Sequence, residues 1–171
     1  MVEDLVDSRR EEPAFTLPER KMLEGWLEFH RVTLLLKCDG LDDPQRKARP
    51  IATSRLSLHG LVRHMAEVER NWFRRVLLQE QVGSIWYDPA VEDSELVPLD
   101  SASWEDDLAI WTAECDAARS AAAAHELDDA GIRHGRPCSL RWIYNHMIEE
   151  YARHNGHADL LRERIDGVTG D

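Results

Sequence analysis

Three observations predict an all-α fold, a four-helix bundle. Four stretches carry apolar residues at three- and four-residue steps, no run alternates apolar and polar residues as a half-buried strand would, and glycine, proline and serine mark the connections. One connection, between the second and third helices, is long enough to cross the bundle, so those two helices can run parallel rather than as a hairpin.

The charged run Met1–Phe15 reads as a poorly anchored tail, and 16–171 as a single domain. Thr16 to Glu19, T-L-P-E, reads as a capping box opening the first helix, which runs to about Lys37 with Met22, Leu23, Trp26, Phe29, Val32, Thr33 and Leu36 on one stripe. His30 is off that face. Cys38 to Arg55 is polar and aperiodic, a connection. Ser57 caps the second helix, Leu58 to about Gln81, whose inner face is Leu61, Val62, Met65, Val68, Trp72 and Val76. His64 projects between Leu61 and Val68 on the apolar side, and His59 does not. Val82 to Asp100 is the candidate crossover, and its Trp86 and Tyr87 argue against a merely solvated loop. Ser103 or Ser101 caps a third helix ending near His125, with Trp104, Leu108, Trp111, Cys115 and Ala118 inward. Gly131, Gly135 and Pro137 mark the next connection as loop. Ser139 then caps the longest helix, Leu140 to Ile165, stopped at Gly167. The five helical tryptophans, Trp26, Trp72, Trp104, Trp111 and Trp142, read as core or interface.

The chain of 171 residues has a net charge of −12, which repels nucleic acid and anionic membranes. Cys38, Cys115 and Cys138 are odd in number and widely spaced, which suggests neither a disulfide framework nor a thiolate zinc knuckle. With no apolar run near the roughly 20 residues of a membrane span and no basic and apolar leader at the N-terminus, a cytoplasmic protein with reduced thiols is expected.

The last helix carries the chemistry. Leu140, Ile143, Met147, Tyr151, Ala158, Leu161 and Ile165 form its core stripe, and Glu150 and His154 fall within or beside it, one turn apart on one face. A lone inward histidine is usually a satisfied core residue, but an inward carboxylate is rarely buried without a partner. A divalent ion satisfies both. His64 is the other inward histidine outside this helix, so His64, Glu150 and His154 are candidate ligands, with positions left open for water or substrate. Two imidazoles and a carboxylate suit zinc, and also nickel or iron. His146 and His157 take outer or surface roles. Cys138, just before the helix N-terminus, is a candidate for a lowered thiol pKa or for a structural cysteine.

The runs RWIYNHMIEEYARHNGHADLLRERIDG and LHGLVRHMAEVERNWFRRVL closely resemble the DinB-like four-helix superfamily, in particular its actinobacterial branch, over nearly the whole chain after about residue 17. That superfamily includes the mycothiol-dependent maleylpyruvate isomerases and related thiol transferases. The resemblance implies a metal held by a second-helix histidine and by a His-or-Glu, x-x-x, His pair on the fourth helix, at the positions of His64, Glu150 and His154. It further implies a low-molecular-weight thiol such as mycothiol, a small electrophilic substrate and, in some members, a homodimer. The leading expectation is a metal-dependent thiol S-transferase or isomerase; on that reading Trp86 and Tyr87 wall the pocket mouth and Arg141 or Arg153 holds a substrate carboxylate, though ordinary surface packing and charge is the favoured reading of each of these residues. Two alternatives stand beside it: a metal-dependent hydrolase, and a non-catalytic metal-binding or stress protein acting as a homodimer.

Overall fold

A computed structural model of the chain describes residues 10–97 and 101–169. The expected tail lies outside the described residues as far as position 9. Within 10–15, the Arg10 guanidinium lies over the Phe29 ring at 4.9 Å and Pro13 packs beside Gly25.

Helix α1 spans Glu19–Cys38 and opens without the capping box expected at Thr16. Pro18 occupies the N-cap with φ −53°, and no side chain caps it, because Thr16 ends two residues too early for its hydroxyl to reach the first free N–H groups. The connection read as structureless contains a short helix, α2 (Asp43–Lys47), closed by a reciprocal box in which Asp42 and Gln45 each accept the other's backbone N–H. Five residues are too few to show a period.

Ser57 caps α3 (Leu58–Glu69) by accepting the Gly60 N–H at 3.1 Å. At Arg70 the helix widens to a π-helix that ends at Leu77, short of the expected Gln81. Trp72, Phe73, Val76 and Leu77 are buried together along it. Ser103, not Ser101, caps α4 (Trp104–Ala123), and Ser139 caps α5 (Leu140–Asp166), which ends at Gly167 with φ +81°.

The segment expected to be loop before α5 is instead an antiparallel hairpin, β1 (Ala130–Arg133) paired with β2 (Arg136–Ser139). His134 and Gly135 turn it with φ of +49° and +74°, the two left-handed residues of the tightest hairpin turn. Gly131 and Pro137 disguise the strands as loop. Gly131 is there for contact: a Cβ at this position would lie 1.8 Å from the Val76 carbonyl oxygen of the π-helix. Gly131→Ala therefore forces the hairpin off the π-helix. The expected loss is about 1–3 kcal/mol, as for overpacked sites, read as a fall in the thermal midpoint.

Ion pairs and hydrogen bonds between helices fix the directions. Arg141 meets Glu19, Asn155 bonds to the His30 carbonyl and Arg162 to the Lys37 carbonyl, so α1 and α5 run parallel. His59 meets Asp107 and Arg70 meets Glu114, so α3 and α4 also run parallel. Arg31 with Glu69 and Arg119 with Glu28 set the first pair antiparallel to the second. The order is up-down-down-up, and the crossover between α3 and α4 is described over residues 78–97 and 101–103. The core is filled by fully buried Leu34, Leu58, Leu61, Met65, Leu140, Ile143, Met147 and Leu161.

An ion pair is sealed inside it. Arg31 donates two hydrogen bonds to Glu69, at 2.8 and 2.6 Å, and Tyr151 donates a third at 2.8 Å while accepting one from the Trp111 indole at 3.0 Å. These contacts fix the rotation and height of α5 against α3 at the residue next to Glu150.

Candidate metal centre and substrate cleft

Position 64 lies two turns into α3, and positions 150 and 154 lie midway along α5, where the antiparallel helices pass each other. Their side chains meet. One ligand atom from each of His64, Glu150 and His154 lies within 4.8 Å of the other two. His64 Nε2 is 3.5 Å and His154 Nε2 3.6 Å from the same oxygen, Glu150 Oε1. Neither separation makes a sound hydrogen bond, and His64 Nε2 is buried with no partner. Both match the edge of a tetrahedron around an ion with bonds of roughly 2.0–2.2 Å, which is about 3.4 Å. A divalent cation therefore fits this donor set.

The surroundings orient the three residues. His64 Nδ1 faces Glu95 Oε1 at 3.3 Å, which holds the proton on Nδ1 and leaves the Nε2 lone pair toward Glu150. Glu95 comes from the crossover, and no helical pattern in the sequence announces it. On the far side of His154, its Nδ1 meets His157 Nδ1 at 3.4 Å. The imidazoles of His154 and His64 hold the Glu150 carboxyl well below the usual carboxylate range. It stays ionised.

A second group, His146, Glu149 and Glu150, also comes within 4.8 Å but fits an ion less well. Glu149 is exposed and paired with Arg153, and the His146 ring stacks on Trp142 and packs against Trp72.

His64 and Glu150 line a cleft of about 560 Å³ that runs along α3 and α5 toward the hairpin, with His154 behind them. The crossover forms its other wall. A single Glu67 oxygen accepts the backbone N–H groups of Ile85, Trp86 and Tyr87 at 2.7, 2.5 and 2.8 Å, which pins the loop over the cleft. Tyr87 lines the cleft as expected, while Trp86 takes the Arg63 guanidinium on its ring at 4.6 Å. Glu67→Ala removes all three acceptor contacts and should make the amides of 85–87 exchange at least about tenfold faster, as measured by hydrogen exchange.

Several sequence expectations need correction. His59, read as outward, is fully buried: it bonds Asp107 at 2.8 Å and sits edge-on against Trp104. Its partner lies on α4, so the period of α3 alone could not reveal it. Arg141 and Arg153 are not available to a substrate carboxylate, because Arg141 is taken by Glu19 and Asp128 and Arg153 by Glu149. Cys138 directly precedes the N-cap of α5, as expected, but it lies in β2 and burial pushes its thiol pKa up rather than the helix terminus lowering it. Cys38 and Cys115 are fully buried, and burial pushes the Cys38 thiol up to about 12. In the folded protein only Cys138 should therefore react with a thiol reagent at pH 8 on a timescale of minutes, with all three reacting after denaturation.

No curated protein matches the chain. Among the described residues no helix is long and apolar enough to cross a membrane. The sequence profile described as "MST: Mycothiol-S-transferase" matches residues 22–167, which takes in α1 through α5 and all three residues of the centre. Over that span, and with its up-down-down-up bundle, the chain belongs to the mycothiol-S-transferase family of the DinB-like superfamily.

Proposed function

We propose that the chain is a metal-dependent thiol S-transferase that joins a mycothiol-type thiol to a small electrophile, with His64, Glu150 and His154 as ligands. The observation that carries this reading is the buried, partnerless His64 Nε2, aimed at the same carboxylate oxygen as His154 Nε2. Zinc suits the set, as do nickel and iron. When bound, such an ion deprotonates a coordinated thiol and holds it as thiolate at neutral pH.

The chain's own residues supply the rest. Glu95 fixes the His64 tautomer, Glu150 stays anionic and offsets part of the ion's charge, and the pinned segment 85–87 limits water at the cleft mouth. In conjugation the sulfur lone pair forms the new C–S bond and the displaced π pair takes up a proton, so no oxidant or reductant is required. Isomerisation follows if the same thiol adds and then leaves. A place in the cytoplasm and a homodimeric state belong to this reading as expectations.

The test is metal analysis of protein purified without an affinity tag, followed by titration of its cobalt-substituted form with mycothiol. Stoichiometric metal and a sulfur-to-cobalt charge-transfer band in the near ultraviolet are expected. Metal without a thiol response would turn the reading toward hydrolysis or a binding role, and absence of metal under all conditions would overturn it.

A further inference from the structure

With Arg141 and Arg153 neutralised, the cleft still holds two arginines that no carboxylate faces. Arg75, on the π-helix, spends its N–H groups on the Val82 carbonyl at 2.9 Å and the Ser84 hydroxyl at 3.4 Å, both uncharged. Arg133, on β1, lies with its guanidinium 4.0 Å from the centre of the Trp72 ring. Stacking occupies the flat face of a guanidinium and leaves its edge of N–H donors open to a planar anion. Among the described residues neither arginine has an ion-pair partner, and the Asn71 amide in the same cleft makes no hydrogen bond.

The acids that share the cleft are engaged elsewhere. Glu67 takes three backbone N–H groups, Glu95 faces His64, and Glu150 lies between two imidazoles. Trp72, beneath Arg133, touches His146, which stands one turn of α5 before Glu150. At about 1.5 Å per residue this puts the arginine end of the cleft on the order of 6–12 Å from the candidate ligands, the length of a small organic acid. A chain of net charge −12 gains nothing in solubility from unpaired arginines facing one wall of one cleft.

We propose that Arg133 and Arg75, with Asn71, hold the carboxylate of the electrophile, so that the second substrate is a small anionic compound rather than a neutral or cationic one. This deepens the thiol-transferase reading and rests on it for the identity of the cleft. The π-helix and the hairpin then cooperate in binding, since one presents Arg75 and Asn71 and the other lays Arg133 over Trp72 against them.

The experiment compares two unreactive analogues of the same shape, 3-succinimidopropionate and N-ethylsuccinimide, binding to the zinc-loaded chain in a calorimetric titration. The anion should bind at least about tenfold more tightly, the range of one or two charge-assisted hydrogen bonds. Arg133→Gln should bring the ratio close to one, Arg133→Lys should keep part of it, and Arg141→Gln should leave it unchanged. If Arg133→Gln fails to fold, Arg75→Gln makes the same comparison. In turnover with mycothiol, Arg133→Gln should raise KM for 3-maleimidopropionate about tenfold or more and leave KM for N-ethylmaleimide and both kcat values as they were. Equal binding of the two analogues, or a preference that survives Arg133→Gln because the ion itself captures the carboxylate, overturns the proposal. Thiol transfer without a charge preference defeats only this inference, whereas a charge preference without thiol transfer defeats only the reading it builds on.

Discussion

Glu150→Gln should bind a divalent cation at least about a hundredfold more weakly than the unaltered chain, and His154→Ala should lose stoichiometric metal after dialysis. Changes to groups that merely orient a ligand already cost about 10–100-fold in affinity, and these two alter proposed ligands themselves, one by removing its charge and one by removing its imidazole. Glu150 is the sharper test, because its oxygen is the point on which both imidazole nitrogens converge at 3.5 and 3.6 Å. Glutamine keeps the shape and removes the charge. Competition against a chromophoric chelator measures the affinity, and circular dichroism confirms that the helices persist. Unchanged metal content in Glu150→Gln would remove the proposed centre, and with it the thiol chemistry.

The second large effect concerns folding. Glu69→Ala takes two hydrogen bonds from the buried Arg31 guanidinium, leaving it with Glu28 at the edge of the core, and removes the acceptor of the Tyr151 hydroxyl. Breaking a buried pair costs up to about 3–5 kcal/mol, and the Glu28 contact that Arg31 keeps offsets only part of this, so the loss is a large share of the roughly 5–15 kcal/mol that holds a domain together. Urea unfolding should show the loss as a lowered midpoint with little change in slope. The double variant Arg31→Met, Glu69→Leu should cost less than Glu69→Ala alone, since apolar groups of similar volume often replace a buried pair without penalty. A single variant as stable as the unaltered chain would mean that water reaches this pair in solution.

The four long helices, their serine caps and the crossover were legible because period and capping are local signals that survive in any tertiary setting. His64, Glu150 and His154 were legible for a related reason: a polar residue on an apolar stripe is conspicuous. What escaped depends on partners distant in the chain. Glu69 is buried with Arg31 and Tyr151 from two other helices as partners, and His59 because Asp107 waits on α4. The hairpin was hidden by Gly131, a residue that weakens a strand but is needed where the backbone passes over Val76. Arg133 was hidden with it. Its stacking on Trp72 depends on the hairpin's packing, and neither end of that contact marks the other in sequence.

The parallel pairing of α1 with α5 ties residues near 20 and 37 to residues near 141 and 162, a separation of more than a hundred positions. Helical proteins commonly assemble fast because neighbouring segments meet first, but here the two chain ends must find each other across everything between them. Refolding should accordingly be slower than for a simple meander of four helices of equal size. During synthesis, too, Glu150 and His154 emerge well after His64, so the proposed centre can form only once α5 has been made.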